Sequence, residues 1–114
     1  VVETVGRRSG RPRSTVVAYG RFLLPDEASA GDEALVVVGG AAGMRKVPDW
    51  VANLRARPDA VVVLDGVRSD VRFRELDGVE RAVLWPALVA TWPRIEHYER
   101  TAGRPVPVFV LAGA

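Results

Sequence analysis

Gly6-Arg7-Arg8-Ser9-Gly10-Arg11-Pro12-Arg13 places four arginines in eight residues, and Ser14 and Thr15 follow directly. Arginine offers a planar fork of N–H donors that matches phosphate oxygens, while hydroxyls and free backbone N–H groups fill the remaining lone pairs. Two glycines able to take positive φ, and the stiff exit at Pro12, make this a shaped basic turn. It suits anion binding; the competing reading is an exposed hairpin tip that arginine merely solubilises. A second candidate is Gly39-Gly40-Ala41-Ala42-Gly43-Met44-Arg45-Lys46. Its small side chains would let a planar or anionic ligand reach the backbone, unless it is only a strand-to-helix connection. Trp50, Asn53 and Leu54 stand three and four residues apart and share a helix face. An Asn on that face needs a partner, from backbone or from ligand. Trp50 is read as core or as a shelf for a cofactor.

Composition limits the alternatives. The 114 residues suffice for a single domain, 1–114, and 48% apolar with 26% charged residues excludes wholesale disorder. Sixteen Lys and Arg against 14 Asp and Glu leave a net charge of +2, so the basic character is local rather than polycationic. No nucleic-acid partner is expected, because the arginine turn carries no aromatic on which a base would stack. Lys46 is the sole lysine, so the preference for arginine reflects base composition as much as function. The absence of Cys removes disulfides, thiolate nucleophiles and sulfur ligands, and with His97 the one histidine no metal site is expected. No apolar run approaches the roughly 18 to 20 residues of a membrane span, so a soluble cytoplasmic protein is the default. The chain opens on a strand-like run without Met, which leaves open whether a segment precedes it.

The elements that must position these residues follow from pattern. Residues 1–5 and 14–22 are β-branched and strand-like, which predicts a hairpin with the arginines at its tip. Residues 24–33 form a polar, punctuated loop assigned no chemistry. Residues 34–38 predict a strand buried on both faces. A helix begins at Pro48 and runs to Ala56, before Arg57-Pro58-Asp59 breaks it. Residues 60–64 and 67–76 flank Asp65-Gly66, a tight hairpin whose Arg68, Asp70, Arg72 and Arg74 face solvent. Asp77 with Glu80 predicts a capping box, and Val79, Val83, Leu84 and Leu88 an apolar helix stripe. Pro86 and Pro93 divide that helical region in two, Gly103 ends it, and 106–111 is a closing strand. The order lacks regular βαβ alternation, which argues for α+β rather than a doubly wound fold.

Taken together, Thr4-Val5-Gly6-Arg7-Arg8-Ser9-Gly10-Arg11-Pro12-Arg13, Pro48-Asp49-Trp50-Val51-Ala52-Asn53-Leu54 with Arg57-Pro58, Glu80-Arg81 with Leu84-Trp85-Pro86, Tyr98, and Arg104-Pro105-Val106-Pro107-Val108 resemble the deazaflavin-dependent nitroreductase family. These are actinobacterial proteins that use coenzyme F420. The resemblance implies a split β-barrel with flanking helices, related to FMN-binding pyridoxamine phosphate oxidase-like proteins. It implies that Arg7, Arg8, Ser9 and Arg13 grip the phosphate and glutamyl tail of F420, with Ser14, Thr15, Val16, Val17 and Ala18 beneath the deazaflavin. Val38, Gly39, Gly40 and Ala41 would abut the ring system, and Asp49, Trp50, Val51, Ala52 and Asn53 would complete the pocket. Two departures are visible. Many members have Ser-Lys where this chain has Gly40-Ala41, leaving Arg45 or Lys46 to supply the charge. Aromatic residues on the substrate side are replaced by Ala18, Trp92 and Ile95, while Tyr98 is retained.

The implied activity is hydride transfer from reduced F420 to a small-molecule acceptor, a quinone or an activated nitro or enone compound. The cofactor carries the chemistry and the protein binds, orients and excludes water. Tyr98, or secondarily His97, would hydrogen-bond the acceptor or supply a proton. The alternatives are an FMN-binding split-barrel protein and a non-catalytic cofactor- or lipid-binding relative. Membrane-associated members place a helix before the first strand, a segment not present here, so peripheral membrane association stays open, as does a homodimer.

Overall fold

Val2 and Thr4 point inward while Glu3 and Val5 are half-buried, the period-two pattern of a strand with one core face. This is β1 (Val2–Val5), in a computed structural model that describes residues 1–23, 33–39 and 47–111. The expected loop at 24–33 lies almost wholly outside the described residues. Across the basic turn, β2 (Pro12–Thr15) returns antiparallel to β1 in a register from Val5↔Pro12 to Val2↔Thr15. The single strand expected over 14–22 is two strands. β2 ends at Thr15, and β3 (Tyr19–Leu23) pairs instead with β4 (Glu33–Val38). Extended propensity marks both halves as strand but cannot say that they bind different partners.

Three more strands complete the sheet. β5 (Asp59–Leu64) and β6 (Val67–Glu75) form the expected hairpin, with Asp65 at φ 51° and Gly66 at φ 78° supplying two left-handed residues. β7 (Val108–Leu111) lies between β6 and β4. The strand order is β2-β1-β5-β6-β7-β4-β3, each neighbour antiparallel. Three residues, Val16, Val17 and Ala18, join one edge strand to the other. That link spans at most about 14 Å of extended chain. Seven strands laid flat would hold their edges roughly 29 Å apart. The sheet must therefore curl, bringing β2 and β3 toward each other with no ladder between them.

Each face of the curled sheet has its own core. Val37, Phe73 and Phe109 pack with Trp50, Val51 and Leu54 of α1 (Asp49–Ala56). Val36, Val108 and Val110 pack with Leu84 and Leu88 of α2 (Gly78–Thr91) and Ile95 of α3 (Ile95–Ala102). Adjacent Val36 and Val37 thus bury on opposite faces, as the uninterrupted apolar run of β4 predicts. The capping box forms: Asp77 accepts from the Glu80 N–H at 2.8 Å, and Glu80 accepts from the Asp77 N–H at 3.2 Å. Pro86, expected to divide the helical region, lies inside the continuous α2. It stands on the exposed side, where the Ala82 carbonyl left without its backbone donor is open to solvent, so the break comes only at Trp92-Pro93-Arg94. Val79 and Val83, expected in the buried stripe, are 77% and 58% exposed. Arg81 ties this side together: its Nε donates to the Val106 carbonyl at 3.0 Å, its fork pairs with Glu99, and it stacks 4.2 Å above the Trp85 ring. No helix among the described residues is long and apolar enough to cross a membrane.

Candidate active site

The basic turn closes on itself. The Gly6 N–H donates to the Arg11 carbonyl at 2.8 Å, the Gly10 N–H to the Gly6 carbonyl at 2.8 Å, and the Arg11 N–H to Ser9 Oγ at 3.2 Å. Gly10 takes φ 71°, and a Cβ on Gly6 would lie 2.6 Å from Ser9 Oγ. Gly10 is required by this shape, and a side chain at Gly6 would displace Ser9 Oγ from the Arg11 N–H it accepts from. The turn is also fastened to α1. Asn53 Oδ1 accepts from the Arg7 backbone N–H at 3.2 Å and from Arg7 Nη1 at 2.8 Å, while Asn53 Nδ2 donates to Thr4 Oγ1 at 3.1 Å. Arg7 Nη2 reaches Asp49 Oδ1 at 3.4 Å. The partner that Asn53 needs is therefore a neighbouring residue on each side.

Two clefts open beside this turn. The polar one, about 590 Å³, is lined by Gly6, Arg7, Arg8, Ser9, Arg13, Ser14 and Thr15 facing Asp49, Trp50 and Asn53. The apolar one, about 470 Å³, lies between Thr15-Val16-Val17-Ala18, Val38-Gly39 and Val47-Pro48-Asp49-Trp50. Thr15, Asp49 and Trp50 line both, so the two form one groove with a cationic end and an apolar end. Trp50 serves both readings given for it: it is 6% exposed, packs on Phe109 at 5.8 Å between ring centroids, and presents its remaining edge to the groove. Arg8 and Arg13 form no ion pair or side-chain hydrogen bond with another described residue. Their donors are available to an anion.

Most of the residues assigned from sequence meet here. Val51 does not line the groove; it is fully buried, with Cγ2 2.7 Å from where a Gly39 Cβ would stand, so it supports the floor from beneath. Ala52 is half-buried on α1 and lines neither cleft. Gly40 and Ala41 lie outside the described residues. Ala18 lines the apolar cleft, whereas Trp92 packs on Phe22 at 5.6 Å and Ile95 is core. Tyr98, half-buried on α3 beside His97, lines neither cleft. Val47 and Pro48 are further liners: the sequence pattern makes Pro48 the start of a helix and assigns Val47 no role. Their signal was position, directly before Asp49 and Trp50. Among the described residues no group of three His, Cys, Asp or Glu is placed to hold a metal ion.

Residues 1–113 match the family described as F420H(2)-dependent quinone reductase. An F420H(2)-dependent quinone reductase of Mycobacterium tuberculosis is 26% identical over 97% of this chain and 70% of its own length. A Mycobacterium bovis protein described as a putative F420H(2)-dependent quinone reductase gives the same figures, 26%, 97% and 70%. Among solved structures, an F420-H2 dependent reductase superimposes with a TM-score of 0.68 at 28% identity, covering 96% of this chain and 90% of its own. Another, described as a domain-swapped dimer, has a TM-score of 0.69 at 28% identity, covering 96% and 76%. By the match along nearly its whole length, this chain belongs to the F420H(2)-dependent quinone reductase family, oxidoreductases whose cofactor is coenzyme F420.

Proposed function

We propose that this protein reduces a quinone by hydride transfer from F420 bound along the groove, on a split β-barrel scaffold, with nitro and activated enone compounds as further acceptors. The single observation that carries this is the joining of a cationic cleft to an apolar one through Thr15, Asp49 and Trp50. The donor set fits the cofactor's acidic portion: Arg8 and Arg13 stand open, with the hydroxyls of Ser9 and Ser14 beside them. The apolar end fits a ring, because its lining of Val16, Val17, Ala18, Val38 and Gly39 carries no charged side chain and the Gly39 N–H is already committed to the Pro107 carbonyl at 2.9 Å. When bound, F420 supplies the hydride donor. The chain's own residues hold the anion and flank the ring with Val16, Val17, Ala18 and Trp50. Tyr98 lines neither cleft, so in this reading the acceptor takes its proton from solvent. The domain-swapped relative adds a homodimer to the proposal, to be checked by sedimentation.

Turnover tests the reading. Under anaerobic conditions, reduced F420 should be reoxidised by the enzyme when a quinone is added, and more slowly with nitro or enone acceptors. F420 binding with no oxidation by any acceptor would instead favour the non-catalytic relative.

A further inference from the structure

Thr4 and Asn53 are the two buried polar side chains among the described residues, 1% and 2% exposed. Burying polar groups is unfavourable unless every donor and acceptor is met, and an apolar pair would fill the same space. These two are bonded to each other at 3.1 Å, and the amide oxygen of Asn53 takes both the main chain and the guanidinium of Arg7. One acceptor therefore fixes the backbone and the side chain of the first arginine in the turn. The second Arg7 arm points to Asp49, whose carboxylate offsets its charge. Thr4 also sits directly across the ladder from Arg13, near the start of β2. Arg8 and Arg13 have no such commitments among the described residues.

We infer that Arg7 is a positioning residue rather than a phosphate ligand, and that the relay Thr4–Asn53–Arg7 sets the turn so that Arg8 and Arg13 meet the cofactor's charge. This rests on F420 as the occupant of the groove. Thr4 lines neither cleft of the groove, so any effect of changing it on binding is indirect, and amide exchange at Arg7 reports whether it runs through Asn53.

The test measures F420 affinity at several salt concentrations by tryptophan quenching, and amide hydrogen exchange at Arg7 without cofactor. Thr4→Val removes the hydroxyl and keeps the shape. It should raise Kd about tenfold and speed Arg7 exchange, while the salt dependence stays as in the parent; Thr4→Ser should restore both. Arg7→Lys keeps the charge but loses the fork, and should weaken binding as much as Arg7→Ala does. Arg13→Ala should instead flatten the salt dependence, since it removes a screened charge contact. Should Thr4→Val fail to fold, the Arg7 pair decides. Arg7→Ala flattening the salt dependence as Arg13→Ala does, or Thr4→Val leaving Kd and Arg7 exchange unchanged, overturns the relay. A parent protein that binds no F420 overturns the cofactor reading instead, and Arg7 exchange in Thr4→Val still decides whether the relay holds the turn.

Discussion

Arg13 lines the polar cleft with its guanidinium open, whereas Arg7 is engaged by Asn53 and Asp49, so four similar letters in one turn do different work. Charge-assisted bonds contribute about 1.5–3 kcal/mol each, so Arg13→Ala should weaken F420 binding roughly tenfold to a hundredfold. Tyr98 is the opposite case. A general acid contributes about 100-fold or more when it touches the reacting group. From its place on α3, Tyr98→Phe should lower kcat by less than about tenfold; a larger loss in steady-state turnover would put Tyr98 at the acceptor. At this scale the sequence displayed the chemistry of the turn because it is continuous in the chain. It also displayed that Asn53 required a partner. It could not display which one, because Thr4 and Arg7 lie 49 and 46 residues away and arrive only through the packing of α1 on β1.

Gly39 shows how an element makes a floor. Its missing Cβ lets Val51 of α1 approach the end of β4, and Gly39→Ala would bring the new methyl 2.7 Å from Val51 Cγ2. The overpacking should cost about 1–3 kcal/mol in denaturant unfolding and weaken cofactor binding alongside. At the start of α2, hydrogen bonding from Arg74 holds the Glu80 carboxyl below its ordinary value, aided by the Asp77 N–H against the opposing cost of burial. A folded pKa below the unfolded one contributes stability above the unfolded value and loses it as pH falls through the folded one. Glu80→Gln should therefore destabilise the protein at neutral pH, with the gap to the parent closing in acid. Element types were largely legible: the β5–β6 turn, the Asp77 box and the Pro48 start all follow local chemistry. Errors arose where tertiary context chose. Val79 and Val83 fit an apolar stripe, yet the helix turned Leu84 and Leu88 inward, and Pro86 fell on the solvent side where a helix tolerates it.

Across the whole molecule, the decisive feature is the three-residue link from β2 to β3. It forces the two edges of the sheet toward each other, and the same three residues, Val16, Val17 and Ala18, then line the apolar cleft. Strand pairing of this kind was not legible, because a continuous β-branched run carries no mark of where its partner changes. The curl brings the arginine turn, the end of β4 and the start of α1 to one place, and the account stands on that convergence. The most direct measurement is a titration of the purified protein with F420, with FMN as control and Arg8→Ala/Arg13→Ala as the variant, followed by tryptophan quenching from Trp50. The account predicts saturable F420 binding that the double variant largely abolishes and FMN does not match. Tight FMN binding without F420 binding, or F420 binding indifferent to both arginines, would contradict it.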